Sequence, residues 1–92
     1  MDTQPIDAHA LGKLKWRCRR GMLENDLLIE RFFQRHETQL TARHAAALTQ
    51  LMNLSDNDLL DLLLRRKDPD DELNSPDVRE VLHMLRPSAR SP

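Results

Sequence analysis

The stretch Trp16-Arg17-Cys18-Arg19-Arg20-Gly21-Met22-Leu23-Glu24-Asn25-Asp26-Leu27-Leu28-Ile29-Glu30-Arg31-Phe32-Phe33 decides how this chain folds. It holds the only Trp, both Phe, the only Cys and the second of two Gly. Lys13, Lys15, Arg17, Arg19 and Arg20 crowd the residues before Gly21, and Glu24 and Asp26 follow it, so the charge reverses sign across one glycine. Cations in a last helical turn and carboxylates in a first turn both complement the helix dipole, and glycine is favoured just past a helix C-terminus, where the backbone turns left-handed. Two helices meeting at a corner are therefore expected, with Gly21 as the stop. A side chain at Gly21 is expected to cost about 1 kcal/mol and to move Arg20 relative to Glu24.

Working outward, the first helix starts either at Asp7, a capping residue, or only near Leu11, because Gly12 in a helix interior costs roughly 1 kcal/mol relative to Ala. It is expected to run to about Arg20. Successive helix residues are about 100° apart, so Leu11, Leu14 and Cys18 form one apolar stripe, and Trp16 faces away from it beside Lys13, Arg17 and Arg20. Two readings are open for Trp16: a partner surface, for which Trp beside Arg is the usual hot-spot composition, or burial under another helix. Cys18 on the apolar stripe reads first as a small buried hydrophobe, and otherwise as a thiol activated by the neighbouring arginines.

The second helix is expected from about Leu23 to Glu37, with Leu23, Leu27, the Phe32-Phe33 pair and either Leu28 or Ile29 on its apolar side. Burying a Phe typically contributes about 1.5–3 kcal/mol, and one Phe of the pair is expected in the core. Glu24 and Asp26 diverge on this helix and are not a converging acid/base pair; Glu24 is expected to reach back to Arg20. Thr41 caps a third helix to about Asn53, with Leu48, Leu51 and Met52 inward and alanines at 45–47 allowing close approach. Ser55, with Asp58 three residues on, starts a fourth helix by a capping-box-like pattern. Leucines at 59, 60, 62, 63 and 64 make it apolar nearly all round and central to the bundle. Arg65, Arg66 and Lys67 match its C-terminal dipole. Asp68 to Glu72 is an acidic linker interrupted by Pro69. Ser75-Pro76 reads as N-cap and first turn of a fifth helix carrying Val78, Val81, Leu82 and Leu85, ended by Pro87. Residues 1–6 and 87–92 are expected to fray, leaving an ordered core of about 7–86.

A chain of 92 residues makes one domain, and one of this size hides about 60–65% of its unfolded surface. Hydrophobic residues are 39% and aromatics 3%, Leu-rich with few β-branched residues, which favours an all-α, small single-domain bundle of about five helices. The net charge is −1, giving the chain as a whole no electrostatic reason to bind nucleic acid or an anionic membrane. A lone Cys suits a reducing compartment, no apolar run approaches 18 residues, and the first residues lack a basic signal or transit pattern, so a cytoplasmic protein without membrane insertion is expected. With two glycines nothing cradles a phosphate or dinucleotide, and His9, His36, His44 and His83 are scattered without metal-ligand spacing. No nucleophile has a base beside it. Neither catalysis, a metal nor a stably bound cofactor is expected; partner binding is.

Lys15 to Glu24, followed by Asp26 and the Phe32-Phe33 pair, resembles the signature of the succinate dehydrogenase flavinylation factors, small helical proteins with an Arg-Gly-x-x-Glu motif. The resemblance extends over nearly the whole chain in length and helix order, and its specificity rests on Trp16 to Phe33. On the family pattern Arg20, Gly21 and Glu24 are the motif, and Trp16, Asp26, Phe32 and Phe33 are its companions. Leu62 stands where many members have a Trp, and Lys13 and Lys15 where some bacterial ones have Arg and His. The resemblance implies a monomeric assembly factor that binds the flavoprotein subunit of succinate dehydrogenase, and in bacteria of fumarate reductase, and promotes covalent attachment of FAD to it. The implied docking set is Trp16, Arg17, Arg20, Gly21, Glu24 and Asp26. A nucleic-acid module using Lys13 to Arg20 predicts steeply salt-dependent binding; a generic helical adaptor predicts no effect on flavin content.

Overall fold

Asp7 begins the first helix, α1 (Ala8–Arg17), by accepting the Ala10 backbone N–H at 2.8 Å, so the earlier of the two expected starts is the one adopted. The structure, a computed structural model, describes residues 4–70 and 73–86. After α1 come α2 (Leu23–His36), a short 3-10 turn (Glu37–Gln39), α3 (Ala42–Met52), α4 (Asp56–Leu63) and α5 (Pro76–Leu85). Five helices and no strand among the described residues make the fold all-α. Pro87 and the tail beyond it, residues 1–3 and the last two residues of the acidic linker lie outside the described residues.

The caps were readable and hold. Thr41 accepts from the His44 N–H, Ser55 from Asp58, and Ser75 from Val78 with Pro76 in the first turn. Each satisfies one of the donors that a helix start leaves open. At Thr41 the box is closed by histidine: the His44 Nδ1 accepts the Thr41 N–H at 3.1 Å while its Nε2 meets Glu80 at 3.0 Å. This pins the start of α3 to the middle of α5. Arg43 adds an ion pair to Asp77 at 2.6 Å.

The core is formed by α3 and α5 crossed by the other helices. Ala47, Leu48 and Leu51 of α3 meet Val78, Val81, Leu82 and Leu85 of α5, all buried, and this is the most extensive helix–helix contact. Phe32 and Phe33 are both buried, 5.2 Å apart edge to face, and Leu14 and Cys18 close the core from α1. α4 is less central than its leucines suggest. Leu59, Leu62 and Leu63 are buried, but Leu60 is half-buried and Leu64 exposed, because eight residues offer one face to α2 and α5 and no further helix covers the other. Leu62 is fully buried, so the departure from the family's Trp falls in the core and not on the corner. Residues 5 and 6, expected to fray, are tied down: Pro5 bridges to Thr41, the Ile6 N–H donates to the Leu40 carbonyl at 2.8 Å, and Ile6 packs on the core.

The inward stripe of α2 differs from the expected one. Asn25, Ile29, Phe32 and Phe33 are buried, at spacings of four, three and one, whereas Leu23 and Leu27 face outward. The stripe is headed by a polar residue because the Asn25 amide donates to the Asp56 carbonyl at 2.9 Å.

The left-handed helix end is present but not at Gly21. No glycine has a positive φ, and a Cβ built on Gly21 meets nothing within 4 Å. α1 already ends at Arg17, with Cys18 as its C-cap, so Gly21 lies in the crossing between α1 and α2 and is not a helix stop. The residue that turns left-handed is Arg65, φ 61°, just past α4. There the Arg65 N–H reaches the Leu62 carbonyl at 3.2 Å and the Arg66 N–H the Asp61 carbonyl at 2.8 Å, the two bonds of a Schellman close. The Leu62 carbonyl also accepts from Arg86 Nε at 2.9 Å, locking the end of α5 to the end of α4.

A non-glycine residue pays steric energy in that conformation. Arg65→Gly is therefore expected to raise stability by about 0.5–1 kcal/mol, since relief of repulsion with the neighbouring Arg86 offsets the lost dipole complement. Gly21→Ala is expected to leave stability within about 0.5 kcal/mol of wild type. Urea unfolding followed by circular dichroism checks both; a destabilised Gly21→Ala would contradict the backbone described here.

Candidate functional site

The corner between α1 and α2 sorts its residues into two layers. Arg20 points inward. Its Nε donates to Asp56 Oδ1 at 2.7 Å, Nη1 to the Met52 carbonyl at 2.8 Å and Nη2 to the Leu54 carbonyl at 2.6 Å. Met52 ends α3 and Asp56 opens α4, so one guanidinium satisfies carbonyls left over by one helix and pairs with the first-turn carboxylate of the next. A planar group presents donors from three nitrogens and so reaches three separated acceptors at once, whereas an ammonium offers its three donors from a single nitrogen. The Arg20 side chain is 13% exposed. The expected pair with Glu24 does not form, because the guanidinium is engaged on the far side of the corner. The backbone N–H of Arg20 donates instead to Asp26 Oδ1 at 3.3 Å, and Asp26 is half-buried.

The outer layer holds what Arg20 anchors. Trp16 is 72% exposed, which settles the two readings of its direction: no helix covers it. The Arg19 guanidinium carbon lies 5.8 Å from the Trp16 ring centroid, a cation–π arrangement. Arg17, Gly21 and Glu24 are exposed, and so are Leu23 at 66% and Leu27 at 44%. Leu23 and Leu27, one turn apart on α2, were read from sequence as core. Apolar groups exposed to this extent contribute less to folding than buried ones, and where they form a contiguous patch they mark surfaces for partner binding. Arg19, Leu23 and Leu27 are thus exposed residues of this stretch that the expected docking set left out. Their only sequence signal was that Asn25, placed between them, has to find a partner inside.

Beside this face runs a cleft of about 420 Å³ between the end of α1 and the length of α2. Its floor is Cys18, Ile29 and Phe33, and an ion pair between Lys15 and Glu37, 2.9 Å, crosses one end. Cys18 is fully buried, and burial pushes its thiol up to about 12 although the Arg20 charge opposes this. The thiol is neutral at physiological pH and is packing, not a nucleophile. Among the described residues no three His, Cys, Asp or Glu side chains gather as metal ligands, and no helix is long and apolar enough to cross a membrane.

Fold and site together define a small all-helical binding protein whose Arg-Gly-x-x-Glu segment builds an exposed aromatic corner. Residues 12–88 match the family model described as flavinator of succinate dehydrogenase, and the chain belongs to that family. It is 56% identical over 80 residues to the FAD assembly factor SdhE of Ralstonia nicotianae, covering 87% of this chain and 84% of that protein. It is 36% identical over 69 residues to the protein of the same name in Coxiella burnetii, covering 75% of this chain and 84% of that one. Against the Pseudomonas aeruginosa namesake the identity is 33% over 79 residues, 86% and 89% of the two chains. No solved structure matches this chain.

Two outcomes follow from the position of Arg20. Arg20→Ala is expected to lower stability by about 2–3 kcal/mol, since it removes three charge-assisted bonds and leaves the Met52 and Leu54 carbonyls without them, while Trp16→Ala stays within about 0.5 kcal/mol of wild type. Thermal melts of the two variants distinguish a structural Arg from a displayed one. The second outcome concerns pH. The hydrogen bond from Arg20, aided by that from Asn25, holds the Asp56 carboxyl below its usual range against a smaller opposing effect of burial. A lowered folded-state value means stability that is present above the ordinary carboxylate value of about 3.9 and is lost as pH falls through the lowered one. Wild type should exceed Asp56→Asn in stability at neutral pH, and the gap should close below about pH 4. A gap that persists unchanged at pH 3 in urea titrations would exclude the ion pair as its source.

Proposed function

We propose that this protein is an assembly factor that binds the flavoprotein subunit of succinate dehydrogenase, and of fumarate reductase where one is present, and promotes covalent attachment of FAD to that subunit. Family membership supports the target, and the single observation that carries the mode of action is the outward Trp16, with Glu24 also exposed, on a corner braced from behind by Arg20. Trp16, Arg17, Gly21 and Glu24, with Arg19, Leu23 and Leu27, are the proposed docking face; Arg20 and Asp26 act by holding it. The factor itself carries out no chemistry in this reading and holds no flavin stably. It prefers the conformation of the immature flavoprotein in which a histidine of that subunit attacks the flavin. A preference of about 3 kcal/mol shifts a conformational population roughly a hundredfold. A rigid face suits this, because any ordering cost on the factor's side would reduce the preference it can exert. The proposed working form is a cytoplasmic monomer, for which the buried, unpaired Cys18 is suited.

Two features of the face argue against the nucleic-acid alternative. Glu24 stands in it, where a carboxylate opposes phosphate, and Arg20 of the basic cluster is turned inward.

The test is in-gel flavin fluorescence of the denatured flavoprotein subunit, produced with wild-type factor, with none, and with Trp16→Ala or Glu24→Ala checked for wild-type helicity. Covalent flavin is expected to fall several-fold without the factor and with either variant. Equal fluorescence in all samples would reject the assembly role; a drop without the factor but not with the variants would reject the proposed face.

A further inference from the structure

The cleft beside the docking face has an unmatched charge. Lining it are three carboxylates, Asp26, Glu30 and Glu37, against two cations, Lys15 and Arg19. Lys15 is paired with Glu37 at 2.9 Å, and the Arg19 guanidinium stands over Trp16. Asp26, one oxygen of which accepts the Arg20 backbone N–H at 3.3 Å, and Glu30 form no ion pair among the described residues, and being four apart on α2 they stand one above the other on the same wall. Beneath them the floor is apolar, ending in the Phe33 ring.

From this combination we infer that the cleft receives an arginine side chain presented by an extended segment of the protein partner, the inference resting on the reading above that this corner is a docking face. A guanidinium is flat and weakly hydrated, so it can lie on an apolar floor while its fork meets carboxylates edge on; an ammonium keeps its water more tightly and offers no fork. The Phe33 ring already attracts a cation, with the Lys15 ammonium 5.9 Å from its centroid. Lys15 is therefore an internal competitor, held at the mouth by Glu37. The volume, about 420 Å³, is at the small end of ligand sites, sized for one long side chain with its flanking backbone. Arg19 edges this cleft and also stacks on Trp16, so an arginine entering here and an apolar group meeting the indole would belong to one continuous contact.

The experiment is an amide NMR titration of the full chain with the blocked tripeptide acetyl-Leu-Arg-Leu-amide, and with the same peptide carrying citrulline, which keeps the shape and lacks the charge. Saturable shifts are expected for amides around residues 15–19 and 26–37, with affinity falling roughly 3- to 10-fold for citrulline and for Glu30→Gln. Lys15→Ala is expected to bind the arginine peptide more tightly, a gain that a merely structural Lys15 would not produce. Absent or scattered shifts, equal binding of citrulline, or weaker binding by Lys15→Ala would each overturn the inference. If the peptide fails while covalent flavin still depends on the factor, the cleft is wrong and the assembly role stands. If the peptide binds as described while flavin is indifferent to the factor, the assembly role is wrong and the cleft remains a receptor for arginine.

Discussion

One guanidinium holds the corner to the body of this protein. Arg20 leaves the crossing between α1 and α2, and ends among the Met52 carbonyl, the Leu54 carbonyl and the Asp56 carboxylate, more than thirty residues further along the chain. Its three bonds bring the start of α4 to a fixed position, which sets the Asp56 carbonyl where Asn25 can donate to it, and that bond in turn sets the rotation of α2 about its axis. With Asn25 inward, Ile29, Phe32 and Phe33 follow into the core and Leu23, Glu24 and Leu27 are turned to solvent. The composition of the outer face is a consequence of how the inner bonds are arranged.

The Arg-Gly-x-x-Glu motif therefore divides by layer. Its first residue is a brace and its last is a displayed charge, and the glycine is the exposed crossing between them. A motif whose members are separated by a helix boundary can be divided in this way because residues on either side of the boundary point in different directions. Binding surfaces that present apolar side chains to water without collapsing onto themselves need support from behind, and here charge-assisted bonds to the end of α3 and the start of α4 supply it. The same solution recurs at the other end of α3, where His44 closes the cap on Thr41 and reaches across to Glu80 of α5. In both places a polar side chain joins a helix terminus to a neighbouring helix, which compensates for the modest core of a short chain.

Much of this was legible in the sequence. Helix starts at Asp7, Thr41, Ser55 and Ser75 were signalled by capping residues, whose effect is local and needs no partner. Val78, Val81, Leu82 and Leu85 declared their face by spacing alone. Trp16 was seen to leave the stripe of Leu14 and Cys18, and does. Other features were not legible for definite reasons. Asn25 in a core stripe can be recognised only if its acceptor, thirty-one residues away, is known to be adjacent. Reading Leu23 and Leu27 as core follows from hydrophobicity and fails because α2 was rotated by that polar contact. The left-handed residue was sought at Gly21, the permissive amino acid, but Arg65 adopts it because the end of α5, through Arg86, holds the Leu62 carbonyl and the chain has to turn there.

By itself the sequence determined the helices, their approximate limits, the all-α class and the existence of a charged aromatic corner, because periodicity, capping and charge order act within a few residues of one another. The tertiary structure alone decided which side of that corner faces out: that Arg20 is a brace, that Leu23 and Leu27 join Trp16 at the surface, and that Asp26 and Glu30 are left without a cation above an apolar floor. These depend on the rotation of one helix against another, and that rotation is set by a few hydrogen bonds between residues far apart in the chain.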